Sequence, residues 1–320
     1  MSFRSILIGV GTYLPEQVVT NADLETRVDT SDAWIRERTG ITQRHLAAPH
    51  ETAAFMATEA ARDALAYAGI TADAVDAVLL ATSTPDQAFP ATAVRVQAAL
   101  GMTRGFAFDL AAACSGFIYA LSVADALIRT GQIRTVLVIG SEVYSRILDW
   151  TDRSTCVLFG DGAGAVVLQA GAVDGPGLLS THLHSDGSTG DLLYVDGAVG
   201  RPECSGFLRM NGREIFRHAV SKLAGAVDEA LAANGLSYAD IDWLVPHQAN
   251  KRIIDAMGKK LGLSPERVVV TVDRHANTSA ASIPLAFAEA VRDGRIKPGD
   301  LVLLEALGGG LTWGSALLRM

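Results

Sequence analysis

Short apolar runs set between polar turns dominate this chain. Residues 6–10, 105–110, 165–168, 241–245, 268–272 and 301–304 are each too short for a helix and read as strands. After residues 105–110 the period changes. Phe117, Leu121, Ala124 and Ile128 recur at three- or four-residue spacing, which predicts a long helix with one apolar face, and a second helical pattern starts at Ile283. Strands followed by helices place the chain in the α/β class.

The pattern repeats. Gly69-Ile70 followed by Asp76 returns as Gly235-Leu236 followed by Asp242, both at an offset of 166 residues. Gly131 returns as Gly294 at an offset of 163, and residues 164–168 have their counterpart in 314–318. Several matches in one order imply a duplicated α/β unit. Its halves are expected to be residues 1–172 and 173–320, with the turn-rich residues 173–177 at the boundary. In this register the loop holding Cys114 falls within a residue of the loop holding Asn277.

Three polar groups stand just past the ends of expected strands. Cys114 follows 105–110, His247 follows 241–245 and Asn277 follows 268–272. In parallel α/β sheets reacting groups gather at that edge. Cys114 also opens the long helix, where free backbone N–H groups and the helix dipole favour a thiolate. A buried cysteine packing as a small hydrophobe is the alternative. For His247 and Asn277 the alternatives are a hydrogen-bonded structural group and a turn residue.

Composition narrows the classes. At 320 residues the chain can bury a sizeable core, and no apolar run approaches the roughly 18–20 residues that span a membrane. Residues 6–10 are too short for a signal-peptide core. Cys114, Cys156 and Cys204 form no CxxC pair and suit a reducing cytoplasm. A net charge of −8 argues against general nucleic-acid binding. Against it stand Arg209, Arg213 and Arg217, spaced by four, and Lys251, Arg252, Lys259 and Lys260 after His247. They read either as solvated faces or as a surface steering an acidic partner. The glycines at 160–164 lack a GxGxxG setting and read as close backbone packing. Those at 308–310 follow a strand and can turn an unobstructed N–H toward a ligand.

The motifs AAACSGF (111–117), FGDGAGAVVL (159–168), VPHQANKRI (245–253), HANTSAAS (275–282) and GGGLTWGSALL (308–318) resemble those of the β-ketoacyl-[acyl-carrier-protein] synthase III enzymes of the thiolase superfamily. The resemblance covers nearly the whole chain. It implies a five-layer αβαβα sandwich of two duplicated halves and a homodimer in the cytoplasm. It implies acylation of Cys114 by an acyl-CoA, then decarboxylative condensation with malonyl-[acyl-carrier-protein] to start fatty acid synthesis. His247 and Asn277 would serve the malonyl thioester, and the N–H groups of Cys114 and Gly309 the oxyanion. No cofactor or metal is implied; acyl-CoA enters as substrate. Thr30, Trp34, Arg38, Arg153 and Asn250 correspond to coenzyme A contacts. Phe89, lent to the partner subunit, corresponds to the acyl pocket with Tyr144, Phe159 and Leu307. Arg217, Lys251, Arg252, Lys259 and Lys260 correspond to carrier-protein docking. Leu307 stands where many relatives carry Phe. Other readings are a synthase III-type enzyme of a specialised, polyketide-like pathway, a non-catalytic partner of such an enzyme and, more remotely, a cysteine hydrolase, which also uses Cys, His and Asn in that order.

Overall fold

The computed structural model describes residues 3–197 and 203–320. Strand β1 (Arg4–Tyr13) comes first. Strands β2 (Val18–Thr20) and β3 (Gln43–His45) pair separately and bracket helices α1 (Asn21–Glu25) and α2 (Asp32–Thr39). Then follow α3 (Ala53–Ala68), β4 (Ala77–Ala81), α4 (Thr92–Ala99), β5 (Phe106–Leu110), α5 (Gly116–Arg129), β6 (Thr135–Glu142) and β7 (Gly162–Gly171). The second run comprises β8 (Gly177–Ser185), the antiparallel pair β9 (Leu193–Val195) and β10 (Leu208–Met210), α6 (Gly212–Asn234), β11 (Trp243–Pro246), α7 (Lys251–Lys260), α8 (Val272–His275), α9 (Ser282–Arg292), β12 (Leu301–Gly308) and β13 (Thr312–Arg319).

Two sheets share one topology. The first has the order β1-β7-β6-β4-β5, antiparallel at β1/β7 and β7/β6 and parallel beyond. The second has the order β8-β13-β12-β11, antiparallel at its first two pairings and parallel at the third. The counterpart of β5 is reduced to a single bridge between Leu244 and Val268. The strand expected over 268–272 therefore does not form. The N–H groups of Thr271 and Val272 donate instead to the Gln248 side-chain oxygen, at 2.8 and 3.1 Å, and α8 begins at once.

Five layers result. α3 and α4 cover the outer face of the first sheet, α5 and α9 lie between the sheets, and α6 and α7 cover the second. The apolar spacing of α5 serves this middle layer: Phe117, Leu121, Ala124 and Ile128 are all buried in the core shared with Val302 and Leu304 of β12. Both middle helices are entered through 3-10 turns, Ala113–Ser115 and Ser279–Ala281. Each turn begins on a non-glycine residue with positive φ, 45° at Ala113 and 51° at Ser279. These two residues are 166 apart, the offset of the Asp76/Asp242 match. The structural counterpart of Cys114 is therefore Ala280, which shifts the loop register read from sequence by three residues.

Candidate active site

Cys114, His247 and Asn277 line one cavity between the two sheets' strand ends. Cys114 sits in the turn that enters α5 and is 3% exposed. Its surroundings correct the expected thiolate. Burial pushes the thiol up to about 12, although the Ser279 hydroxyl and its own backbone N–H pull it down. Desolvation outweighs the helix start, so the resting group is a thiol.

Positive φ at non-glycine residues is confined, among the described residues, to Ala113, Ala276 and Ser279. All three adjoin Cys114 or Asn277. Such backbone costs on the order of 1–3 kcal/mol per residue, and it is held here by the surrounding packing. Gly308 is part of that packing. A Cβ on it would lie 2.6 Å from the Cys114 nitrogen and 3.1 Å from that of Ser115. The end of β12 thus lies directly against the nucleophile's turn. Thr312 ties the same segments together, its Oγ1 3.0 Å from the Ala112 carbonyl and 3.1 Å from that of Gly309.

His247 follows β11, and its N–H donates to the Glu305 carbonyl at 2.8 Å. Its Nδ1 is 2.7 Å from Ser282 Oγ, which also accepts the Gln248 N–H at 3.3 Å. Burial pushes the imidazole down to about 3, so it is neutral. Gln248 carries no chemistry but fixes the loop: its Nε2 donates to the carbonyls of Pro246 and Val269, at 2.8 and 3.1 Å. Asn277 is held from both sides. Its N–H donates to the Leu158 carbonyl, its carbonyl accepts from Gly160, and its Oδ1 accepts the Ser279 N–H at 2.9 Å. With the oxygen engaged there, the amide nitrogen is left for the cavity.

The other expected residues divide. Trp34, Arg38 and Asn250 line the cavity mouth, and Phe159 and Leu307 its inner wall. The Arg38 and Arg153 guanidiniums lie 4.6 and 5.1 Å from the centre of the Trp34 indole. Thr30 Oγ1 is buried without a hydrogen-bond partner. Asn250 caps α7 by accepting the Ile253 N–H. Gly40, with φ 77°, ends α2 where a Cβ would meet that of Lys251 at 2.5 Å, so α2 and α7 pack closely. Tyr144 stacks behind Phe159, with ring centres 4.8 Å apart, and does not itself line the cavity. Phe89 is 84% exposed and does not line this cavity. Gly309 packs on the Leu193 carbonyl.

The basic groups are also redistributed. Arg209 is not on the helix face expected for it. It lies on β10 and pairs with Asp196 at 2.8 Å, while Arg213 and Arg217 begin α6. Arg217 pairs with Glu214 and Lys251 with Asp255. Arg252 lies over Phe216, and Lys259 and Lys260 end α7.

The sequence model described as 3-oxoacyl-[acyl-carrier-protein (ACP)] synthase III matches residues 108–187, and the model of its C-terminal part matches residues 231–320. The β-ketoacyl-[acyl-carrier-protein] synthase III of Acidiphilium cryptum is 75% identical over 317 residues, 99% of each chain. This chain belongs to the β-ketoacyl-[acyl-carrier-protein] synthase III family. The synthase III of Granulibacter bethesdensis is 70% identical over 320 residues, again 99% of each chain. The crystal structure of the Aquifex aeolicus synthase III superposes with a TM-score of 0.94 at 48% identity, covering 99% of this chain and all of that one. The fold is thus the thiolase-like sandwich, and the chain is a condensing acyltransferase that initiates fatty acid synthesis. Among the described residues no helix is long and apolar enough to cross a membrane.

Proposed function

We propose that the chain takes an acyl group from acyl-CoA onto Cys114 and joins it to malonyl-[acyl-carrier-protein] with loss of CO2, giving a 3-oxoacyl-[acyl-carrier-protein]. The convergence of Cys114, His247 and Asn277 on one cavity, with Trp34 and Arg38 at its mouth, carries this reading. Coenzyme A lies with its base against Trp34, flanked by Arg38 and Arg153, with Thr30 and Asn250 beside it. Cys114 attacks the thioester carbon, and the N–H groups of Cys114 and Gly309 hold the oxyanion. CoA leaves, and the malonyl thioester enters. His247 Nε2–H and the Asn277 amide donate to its carbonyl oxygen, the site of negative charge once CO2 departs. The resulting enolate carbon attacks the acyl-Cys114 carbonyl. Every step uses groups of this chain.

The acyl chain extends past Phe159 and Leu307, with Tyr144 behind them. The carrier protein docks on the face of α6 and α7 bearing Arg217, Lys251, Arg252, Lys259 and Lys260. A chain with a net charge of −8 that gathers cations beside its cavity suits an acidic carrier.

The working unit is a homodimer in the cytoplasm, each protomer built of halves 1–172 and 173–320. Supporting the dimer, β5 is an edge strand whose Phe106 is 43% exposed and stacks on Phe108, and Phe89 is exposed as well. An unprotected apolar edge of this kind invites pairing with a second copy, which brings Phe89 to the neighbour's acyl pocket. Intact-protein mass spectrometry with acyl-CoA, followed by product analysis with malonyl-carrier protein, tests the reading. Acyl mass on Cys114 and a 3-oxoacyl product support it; free acid as the sole product contradicts it.

A further inference from the structure

Among the described residues, Arg44 is the largest side chain fully withdrawn from solvent. It stands on β3 opposite Val19, on the buried side of the β2–β3 pair. Its hydrogen bonds to described residues all go to neutral oxygens. Nη1 donates to Asn21 Oδ1 at 2.9 Å and to the Val19 carbonyl at 3.4 Å, and Nη2 donates to the Val157 carbonyl at 2.8 Å. Nε is buried without a partner. Burial pushes the guanidinium down to about 10, so it is charged at neutral pH. A buried cation on neutral partners is costly, and an apolar side chain of that volume would fill the space without the cost. What the guanidinium adds is a rigid fork that donates in two directions at once.

One direction leads to α2. Asn21 is itself fully buried, and with its Oδ1 taken by Arg44 its Nδ2 donates to Asp32 Oδ1 at 2.9 Å and to the Ile41 carbonyl at 2.8 Å. Asp32 is the first residue of α2 and Ile41 lies just past its end, so one amide grips both ends of the helix that carries Trp34 and Arg38. The other direction leads to Asn277. Val157 lines the cavity. The next residue, Leu158, accepts the Asn277 N–H at 2.9 Å, and the Gly160 N–H donates to the Asn277 carbonyl at 3.0 Å. A Cβ on Gly160 would lie 3.1 Å from that of Arg44 and 2.8 Å from the His275 carbonyl, so this segment is wedged between β3 and the Asn277 loop. Cys114 stands outside this arrangement, since Gly308 and Thr312 hold its turn.

We propose that Arg44 is a positioning residue that sets α2 and the Asn277 loop in place relative to one another across the cavity. Through Asn21 it holds the helix bearing the Trp34 stacking surface, and through Val157 it holds the segment that seats the Asn277 amide. This role rests on Trp34 receiving coenzyme A and on Asn277 serving the malonyl thioester. It divides the reaction. Recognition of the CoA nucleotide and decarboxylation of the malonyl unit depend on Arg44. Attack by Cys114 on a thioester that lacks the nucleotide does not. Lysine cannot substitute, because its ammonium is a point donor and the two acceptors are reached by separate nitrogens of the fork.

The experiment makes three measurements on the full chain: KM for acetyl-CoA, single-turnover acylation by the acetyl thioester of N-acetylcysteamine at saturation, and decarboxylation of malonyl-carrier protein. Arg44→Lys should raise the first and slow the third, each by roughly ten-fold, the effect of one lost hydrogen bond, and leave the second at the parental rate. Asp32→Ala, at a half-exposed side chain, cuts only the link from Asn21 to the start of α2. It should raise KM for acetyl-CoA by about three-fold and spare decarboxylation, and Asp32→Asn, which keeps an acceptor, should restore the KM. Asp32→Ala also serves if Arg44→Lys does not fold. A parental KM or a parental decarboxylation rate in Arg44→Lys overturns the proposal, as does an equal loss in all three measurements or a parental KM in Asp32→Ala. Parental decarboxylation in Asn277→Ala overturns it together with the reading on which it rests.

Discussion

Ser282 Oγ lies 2.7 Å from His247 Nδ1 and accepts the Gln248 N–H at the same time. One hydroxyl, at the first position of α9, thereby holds both the loop and the orientation of the imidazole. With Nδ1 engaged there, Nε2 is left for a substrate oxygen. Removing this hydroxyl leaves the ring free to turn. Ser282→Ala should therefore slow malonyl decarboxylation by roughly ten-fold, the worth of one hydrogen bond of about 1.4 kcal/mol, and leave acylation of Cys114 nearly intact. Separate rate measurements of the two half-reactions check this.

Gly308 has no room for a side chain. Its Cβ would lie 2.6 Å from the Cys114 nitrogen, a backbone atom in a turn already held at positive φ. Gly308→Ala should destabilise the fold by about 1–3 kcal/mol and slow acylation more than it slows any step that does not involve Cys114. Urea unfolding and burst-phase acylation together test the pair of effects.

Burial of titratable groups predicts opposing pH effects on stability. His247 and His275 are each pushed from 6.5 to about 3, chiefly by burial. Between those values the unfolded chain binds protons that the folded chain refuses, so stability is lost as pH falls through that window. Glu305 behaves oppositely. Its two side-chain oxygens are buried without partners, and burial pushes it from 4.5 to about 8. Between those values the unfolded chain has released a proton that the folded chain keeps, so stability falls as pH rises. Glu305→Gln removes the second effect. Its stability relative to the parent should increase from about pH 5 to about pH 9. A constant difference between the two proteins across that range would contradict the assignment.

Trp34 lies under two guanidiniums at the cavity mouth. Trp34→Ala should raise KM for acyl-CoA by roughly ten-fold, since stacking of this kind is worth about 1–2 kcal/mol. A short acyl thioester without the nucleotide should react as before. Equal losses with both substrates would assign Trp34 to packing of α2 instead.

The three central residues were legible because each follows a short apolar run, and the duplicated pattern placed those runs in two matching units. What supports them was not. Gln248, Ser279, Ser282 and Thr312 are ordinary polar residues in sequence, and their partners lie up to 200 positions away, as in Thr312 Oγ1 with the Ala112 carbonyl. The apolar run at 268–272 carries a strand's composition, yet Gln248 takes two of the N–H groups a ladder would need. Arg209 shares a four-residue spacing with Arg213 and Arg217, but the helix starts after it. The expected thiolate followed from local helix geometry. Burial, a property of the whole fold, sets the thiol instead.

The central claim is that Cys114 carries the acyl group while His247 and Asn277 serve the malonyl unit. Intact-protein mass spectrometry tests it most directly, with acyl-CoA added first and malonyl-carrier protein second. The parent should gain the acyl mass, mapped to Cys114, and discharge it on the second addition. His247→Ala and Asn277→Ala should gain the mass and retain it, and Cys114→Ala should never gain it. Acyl mass on Cys114→Ala, or discharge by His247→Ala at the parental rate, would contradict the account.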